Sequence, residues 1–222
     1  MFRRTKFTTS RLVSLASVLS VGLLLAAVFG CNDSSSLIQN IGLPTEKATQ
    51  AQVERGRALV LGTGCADCHN GGKTDVNSAT WLAGSTTAFD IGPFKTYPSN
   101  LTPHTTGLSK FTDRQIFNAL RFGLDPENTP DATITSSTPG VGGYPATPHY
   151  LAPPMPWPAY RQFSDENLWA MVAYIKHGIK TVDNTIPASG APPDFWASSY
   201  TADKIGNLPQ PAFPGTNEEF KP

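Results

Sequence analysis

The stretch Cys65-Ala-Asp-Cys68-His69 constrains this chain more than any other. Two thiols separated by two residues, with an imidazole directly after them, form the pattern that attaches a c-type haem. Each residue type has a chemical task. The thiols of Cys65 and Cys68 add across the two vinyl groups of the porphyrin, and the two intervening residues give the backbone reach to set both sulfurs on one haem edge. His69 then lies under the ring and binds iron from the proximal face. A zinc site would need a second Cys or His pair at metal-binding spacing, which this sequence lacks. A thioredoxin-like dithiol would want a βαβ context, and a plain disulfide would leave His69 without a role. One motif means one covalent haem c.

Composition narrows the fold around that group. Charged residues are 15% of the 222, against roughly 25% in an ordinary soluble domain. With 19 Gly and 20 Pro in addition, a coiled coil or a long helical bundle is excluded. The absence of a Gly-X-Y period excludes collagen. The aromatic share of 10% argues against wholesale disorder. No basic patch of the kind that nucleic acid requires is present.

Haem iron in an electron carrier needs a second axial ligand, and the chain has three Met and four His. Met1 belongs to the N-terminal segment. Met171 falls on the stripe Leu168, Met171, Val172, Ile175 of a helix and reads as core. Met155 sits in residues 152–160, Ala-Pro-Pro-Met-Pro-Trp-Pro-Ala-Tyr, too rich in proline for a helix or a central strand. A stiff loop of that kind suits a thioether held against the open face of a ring, so Met155 is the expected sixth ligand. The plainer alternative is a methionine filling a gap under the loop. His104 and His149 are the substitutes if Met155 is not the ligand. His177, in the last turn of the final helix, suits the negative end of the dipole.

Three helices are expected. Residues 48–61 form the first, with Gly56 in it costing ~1 kcal/mol relative to Ala; a close crossing with the last helix, Tyr174 over Gly56, would explain that glycine. Residues 111–123 form the second, with a Thr112–Gln115 capping box, Ile116, Phe117 and Leu120 facing inward, and Gly123 as the stop. Residues 164–178 form the third, capped by Ser164, with Asp165 and Glu166 in the first turn and Gly178 at the end. Such helices and long loops make too small a core unless the haem is the core. The fold class is therefore all-α, built around one covalent haem. The free ring nitrogen of His69 should donate to a backbone carbonyl, with the neighbourhood of Pro93 as the expected source.

The helix, Cys-x-x-Cys-His, loop, Met, helix order resembles the class I cytochrome c domain. A closer resemblance is to the cytochrome c domains that serve bacterial periplasmic alcohol, aldehyde and related dehydrogenases. It rests on Trp81-Leu-Ala-Gly84, Tyr97-Pro-Ser-Asn-Leu-Thr-Pro103, Thr106-Gly-Leu108, the helix at 111–121, the Met-Pro-aromatic loop and the Ala173-Tyr-Ile175 ending. It covers roughly residues 48–180. By that resemblance Asn100 and Thr102 lie near the haem rim and bond a propionate; otherwise they are a turn-forming Asn and a capping Thr. The resemblance implies a carrier of single electrons between redox proteins, a dehydrogenase among them, and not an enzyme. The rival classes are a haem enzyme, peroxidase-like or thiosulfate-oxidising, and a gas-binding haem sensor. Residues 124–150, rich in Thr, Pro and Gly, make a longer connection than the family's pattern requires. They either shape the exposed haem edge or form a tolerated surface loop.

Arg3, Arg4, Lys6 and Arg11 precede an uncharged run from residue 12 to residue 30, which reads as an export signal. Leu25-Ala-Ala-Val-Phe-Gly-Cys31 resembles a bacterial lipoprotein signal, with Cys31 lipidated and residues 1–30 removed. The alternatives are an uncleaved anchor and an ordinary signal cut nearby. Four of the 17 basic residues fall in that segment and none of the 17 acids, so a processed chain is mildly acidic. Asn32 suits outer-membrane sorting, which places the protein in the cell envelope, facing the periplasm. Residues 31–47 read as a tether. Residues 181–222, with Phe195, Trp196, Tyr200 and Phe213, read as an extension packed on the domain or on a partner.

Overall fold

The computed structural model describes residues 48–92, 94–189 and 195–206. The expected signal, Cys31, the tether, Pro93 and the end of the tail lie outside the described residues. Among the described residues no helix is long and apolar enough to cross a membrane.

Helix α1 spans Gln50–Gly62. It starts where local chemistry dictates: the Thr49 hydroxyl accepts from the Gln52 amide at 3.3 Å and the Gln52 side chain accepts from the Thr49 amide at 2.9 Å. Gly64, in the left-handed region at φ 73°, then turns the chain into the one-turn helix α2, Cys65–His69. A short hairpin follows, β1 Phe89–Asp90 against β2 Lys95–Thr96, paired Phe89 to Thr96 and Asp90 to Lys95. Helix α3, Asp113–Phe122, has the reciprocal Thr112–Gln115 cap and ends on Gly123 at φ 69°. Ile116, Phe117 and Leu120 are buried on it.

The proline-rich stretch departs from expectation at its end. Trp157–Tyr160 is a helical turn, α4. Pro158 is tolerated there because a first-turn N–H has no intrahelical partner to lose. Helix α5, Asp165–Ala173, is capped by Ser164, which accepts from the Asn167 amide. The α-helix expected to run to Gly178 instead widens into a π turn over Tyr174–Gly178. That wider turn brings Gly178 against Val53, whose Cγ1 is 2.5 Å from where a Cβ would stand.

Helices α1 and α5 cross at Gly56. A Cβ there would lie 1.8 Å from the Ala170 carbonyl oxygen and 2.8 Å from Tyr174 Cβ. Tyr174 is held in place by the Trp81 indole N–H, which donates to its hydroxyl at 2.9 Å. Behind the crossing, Phe117 of α3 stacks on Trp169 of α5 with ring centroids 4.4 Å apart. Residues 124–150 are closed at their base by a bridge between Leu124 and Tyr150. They form a small core of their own, in which Phe122, Leu124 and Tyr144 pack with Ile134 and Tyr150. Helices and loops with two short strands make this an all-α domain.

Candidate haem site

Cys65, Cys68, His69 and Met155 line one cavity of about 830 Å³. Val60, Leu108, Ile116, Leu120 and Ile175 give it apolar walls. The two cysteines are free thiols, not joined to each other. Burial raises both thiol pKa values, so the sulfurs keep their protons at neutral pH. The Thr63 hydroxyl lies 3.4 Å from the Cys65 sulfur.

His69 is held from behind. Its Nδ1 is 2.7 Å from the Ser99 carbonyl oxygen, so Nδ1–H donates and Nε2 keeps its lone pair. Burial lowers the His69 pKa, which favours the neutral ring that a metal ligand needs. The acceptor is thus Ser99 and not the neighbourhood of Pro93. The reason is how the two motif stretches around residues 81–85 and 97–101 run together. Gly84 N donates to the His69 carbonyl at 2.8 Å, Ser85 N to the Pro98 carbonyl at 3.0 Å, and Leu101 N to the Leu82 carbonyl at 2.9 Å. Gly84 has φ 84°, and a Cβ on it would lie 2.7 Å from the Pro98 oxygen. The close approach that aims Ser99 at His69 therefore requires glycine.

Of the candidate sixth ligands, Met155 and His149 line the cavity, whereas His104 does not, and neither does His177. His104 Nδ1 is 2.9 Å from the Thr106 hydroxyl and 3.7 Å from Asp183, and His177 pairs with Asp113 at 3.0 Å. Met155 packs against the main hydrophobic core. Met171 is 1% exposed in that core and also touches the cavity wall.

Asn100 and Thr102 spend their polar side-chain atoms on partners within the protein. Asn100 borders the cavity, but its amide donates to the Thr106 hydroxyl at 3.1 Å, the Val182 carbonyl at 2.9 Å and the Asn184 carbonyl at 3.3 Å. Its oxygen accepts from the Thr102 amide and hydroxyl at 2.9 and 2.8 Å. Thr102 is fully buried and does not line the cavity, and its hydroxyl accepts from the Val182 amide at 3.1 Å. Their polar atoms fasten the chain beyond α5 to the domain.

That fastening adds residues of the tail to the walls of the cavity. Residues 186–189 and Trp196 line the cavity, Ser189 being anchored by Thr96 and the Tyr97 amide. Residues 125–128 and 149–152, at the two ends of the long connection, line it as well. The aromatics of the tail and the length of the 124–150 connection are the features of the sequence that point to these walls; residues 186–189 carry no such mark. A large space with apolar side chains, two protonated thiols, an oriented neutral imidazole and a thioether among its walls fits a covalently held haem.

Residues 53–178 match the family described as cytochrome c. The chain belongs to the cytochrome c family. Its relatives include the fructose dehydrogenase cytochrome subunit of Gluconobacter japonicus, 30% identical over 68% of this chain and 27% of that protein. The gluconate 2-dehydrogenase cytochrome c subunit of Pantoea cypripedii is 29% identical over 65% of this chain and 28% of that protein. The cytochrome c subunit of a quinone alcohol dehydrogenase from Gluconacetobacter polyoxogenes is 25% identical over 71% and 27%. The chain thus spans about a quarter of the length of these relatives, all cytochrome subunits of bacterial dehydrogenases. A cytochrome c domain carries covalently bound haem c, and the single motif here corresponds to one haem.

Proposed function

We propose that this chain is a monohaem carrier of single electrons, working with a dehydrogenase. The observation that carries the reading is that the Cys65, Cys68, His69 cluster and the Met155 thioether share one cavity. When bound, the haem supplies the one-electron couple. The protein does the rest: Cys65 and Cys68 would tether the ring, Ser99 orients His69 as one iron ligand, and Met155 would supply the other. A thioether there favours ferrous iron and raises the potential. With His69 and Met155 both holding the iron, the site would leave no position for a substrate, and the chain would relay electrons without catalysing a reaction of its own. The dehydrogenase subunits among its relatives support a dehydrogenase as the donor, with a second redox protein as the acceptor.

Met155→Ala tests this. The oxidised wild type should show the far-red absorbance band of ferric thioether ligation, and the variant should lose it. The midpoint potential should fall by roughly 0.2 V, well inside the ~0.8 V range that axial ligands command. A wild type without the band, or one whose ferrous form binds carbon monoxide readily, would be an enzyme or a gas sensor instead.

For location, the basic start, the uncharged run to residue 30 and Cys31 support lipid attachment to the cell envelope, facing the periplasm and in the outer membrane. Cys31→Ser should move the protein from the membrane fraction to the soluble periplasmic one. Unchanged sedimentation with membranes would replace lipidation by an uncleaved anchor.

A further inference from the structure

Met155 sits between two fixed points. Leu151, upstream, donates its amide to the Gly123 carbonyl at 2.8 Å and accepts from the Tyr200 hydroxyl at 3.2 Å. Trp157, downstream, is 2% exposed. Its indole fills the space over Gly123, whose Cβ would stand 2.0 Å from the ring. Between these points the loop has few bonds of its own: Met155 N to the Ala152 carbonyl and Trp157 N to the Met155 carbonyl, both 2.9 Å. Pro153, Pro154 and Pro156 supply no N–H. The position of the thioether therefore derives from its anchors.

One residue touches both anchors. The Tyr200 ring lies 4.7 Å from Trp157 and 5.2 Å from Tyr150, centroid to centroid, while its hydroxyl bonds Leu151. Tyr150 in turn stacks on Trp157 at 6.0 Å, with the planes 3° apart. Tyr200 lies beyond the residues that match the family, 53–178.

We propose that Tyr200 is a positioning residue for the axial-ligand loop, a clamp supplied by the C-terminal extension that slows departure of the Met155 thioether from iron. The proposal rests on Met155 being the ligand. For the thioether to leave, the loop has to swing, and Trp157 cannot follow it without giving up the Tyr200 ring. Tyr200 thereby sets how readily an outside ligand gains the distal face, while the ligand set in the resting protein stays the same.

The test uses the ferric holoprotein and imidazole as the incoming ligand, at a temperature where every variant is folded by circular dichroism. The readout is the limiting rate at which the far-red band disappears at saturating imidazole. Tyr200→Ala should raise that rate about tenfold, the size expected from losing two aromatic contacts. Tyr200→Phe, which keeps the ring, should stay within about threefold of wild type, since it lacks one hydrogen bond. His177→Ala loosens the domain at its contact with Asp113, away from the loop, and should leave the rate unchanged. If Tyr200→Ala is too unstable to purify, Tyr200→Leu takes its place with a smaller rise. Equal rates in wild type and Tyr200→Ala overturn the clamp and leave Met155 ligation standing. So does an equal acceleration by His177→Ala, which would mean general loosening. If the wild-type band survives Met155→Ala, ligation and clamp fall together.

Discussion

A chain in which both Cys65 and Cys68 are replaced by alanine is expected to carry no haem through denaturing electrophoresis, where the wild type should keep its full haem stain. Each single replacement should keep part of the stain and shift the reduced pyridine-haem spectrum toward that of a ring with one intact vinyl group. The consequence goes beyond attachment. Without the haem, water enters the cavity and wets Val60, Leu108, Ile116, Leu120 and Ile175, at about 25 cal/mol for each Å² of apolar surface left exposed. A domain of ordinary stability, about 5–15 kcal/mol, has little margin for that loss. The double variant should therefore lose its cooperative thermal transition along with its colour. A double variant that keeps stain and fold would mean that the haem is not held where we place it.

The second large effect concerns the helix crossing. Gly56→Ala would ordinarily stabilise a helix by ~1 kcal/mol. Here we expect a net loss of about 3 kcal/mol, because the new Cβ meets the Ala170 carbonyl at 1.8 Å and overpacking of this kind costs ~1–3 kcal/mol or more. The obstacle is backbone, which has no rotamer to change, so α1 and α5 must separate. Their separation also pulls on Tyr174 and its bond from Trp81. At ~2–4 °C per kcal/mol for a domain of this size, the holoprotein should melt about 10 °C lower. Urea or thermal unfolding measures it. A variant within ~0.5 kcal/mol of wild type would mean that the crossing is looser than the geometry allows.

The parts of this architecture that were readable in advance are those fixed by local chemistry. Thr49 with Gln52, Thr112 with Gln115, and Ser164 each announce a helix start because the cap lies within a few residues of the group it satisfies. Gly56 announced a crossing because a glycine inside a helix has a cost that needs a reason. The Cys65, Cys68, His69 cluster was readable because covalent attachment demands that spacing. Other features left no such trace. Ser99 acts through a backbone carbonyl, which every residue possesses. Asn100 and Thr102 spend their polar atoms on Val182 and Asn184, some 80 residues on, a distance over which no local pattern extends. Trp157–Tyr160 forms a turn of helix because α3 and the Gly123 surface hold it there, overriding what its prolines suggest.

The Asn100 bonds also decide where this protein could be divided. By the family match the domain ends at Gly178, and a genetic fusion or an excised minimal carrier would be cut there. Such a cut would remove the Val182 and Asn184 partners of Asn100 and Thr102, leaving the pair only each other and Thr106 to bond, and would open both buried side chains to water. It would also strip one wall from the cavity. The smallest transplantable unit therefore includes Asn184, for a complete wall it runs through Trp196, and to keep the loop clamp it runs through Tyr200. What looks like an appendage is the last course of masonry in the domain itself.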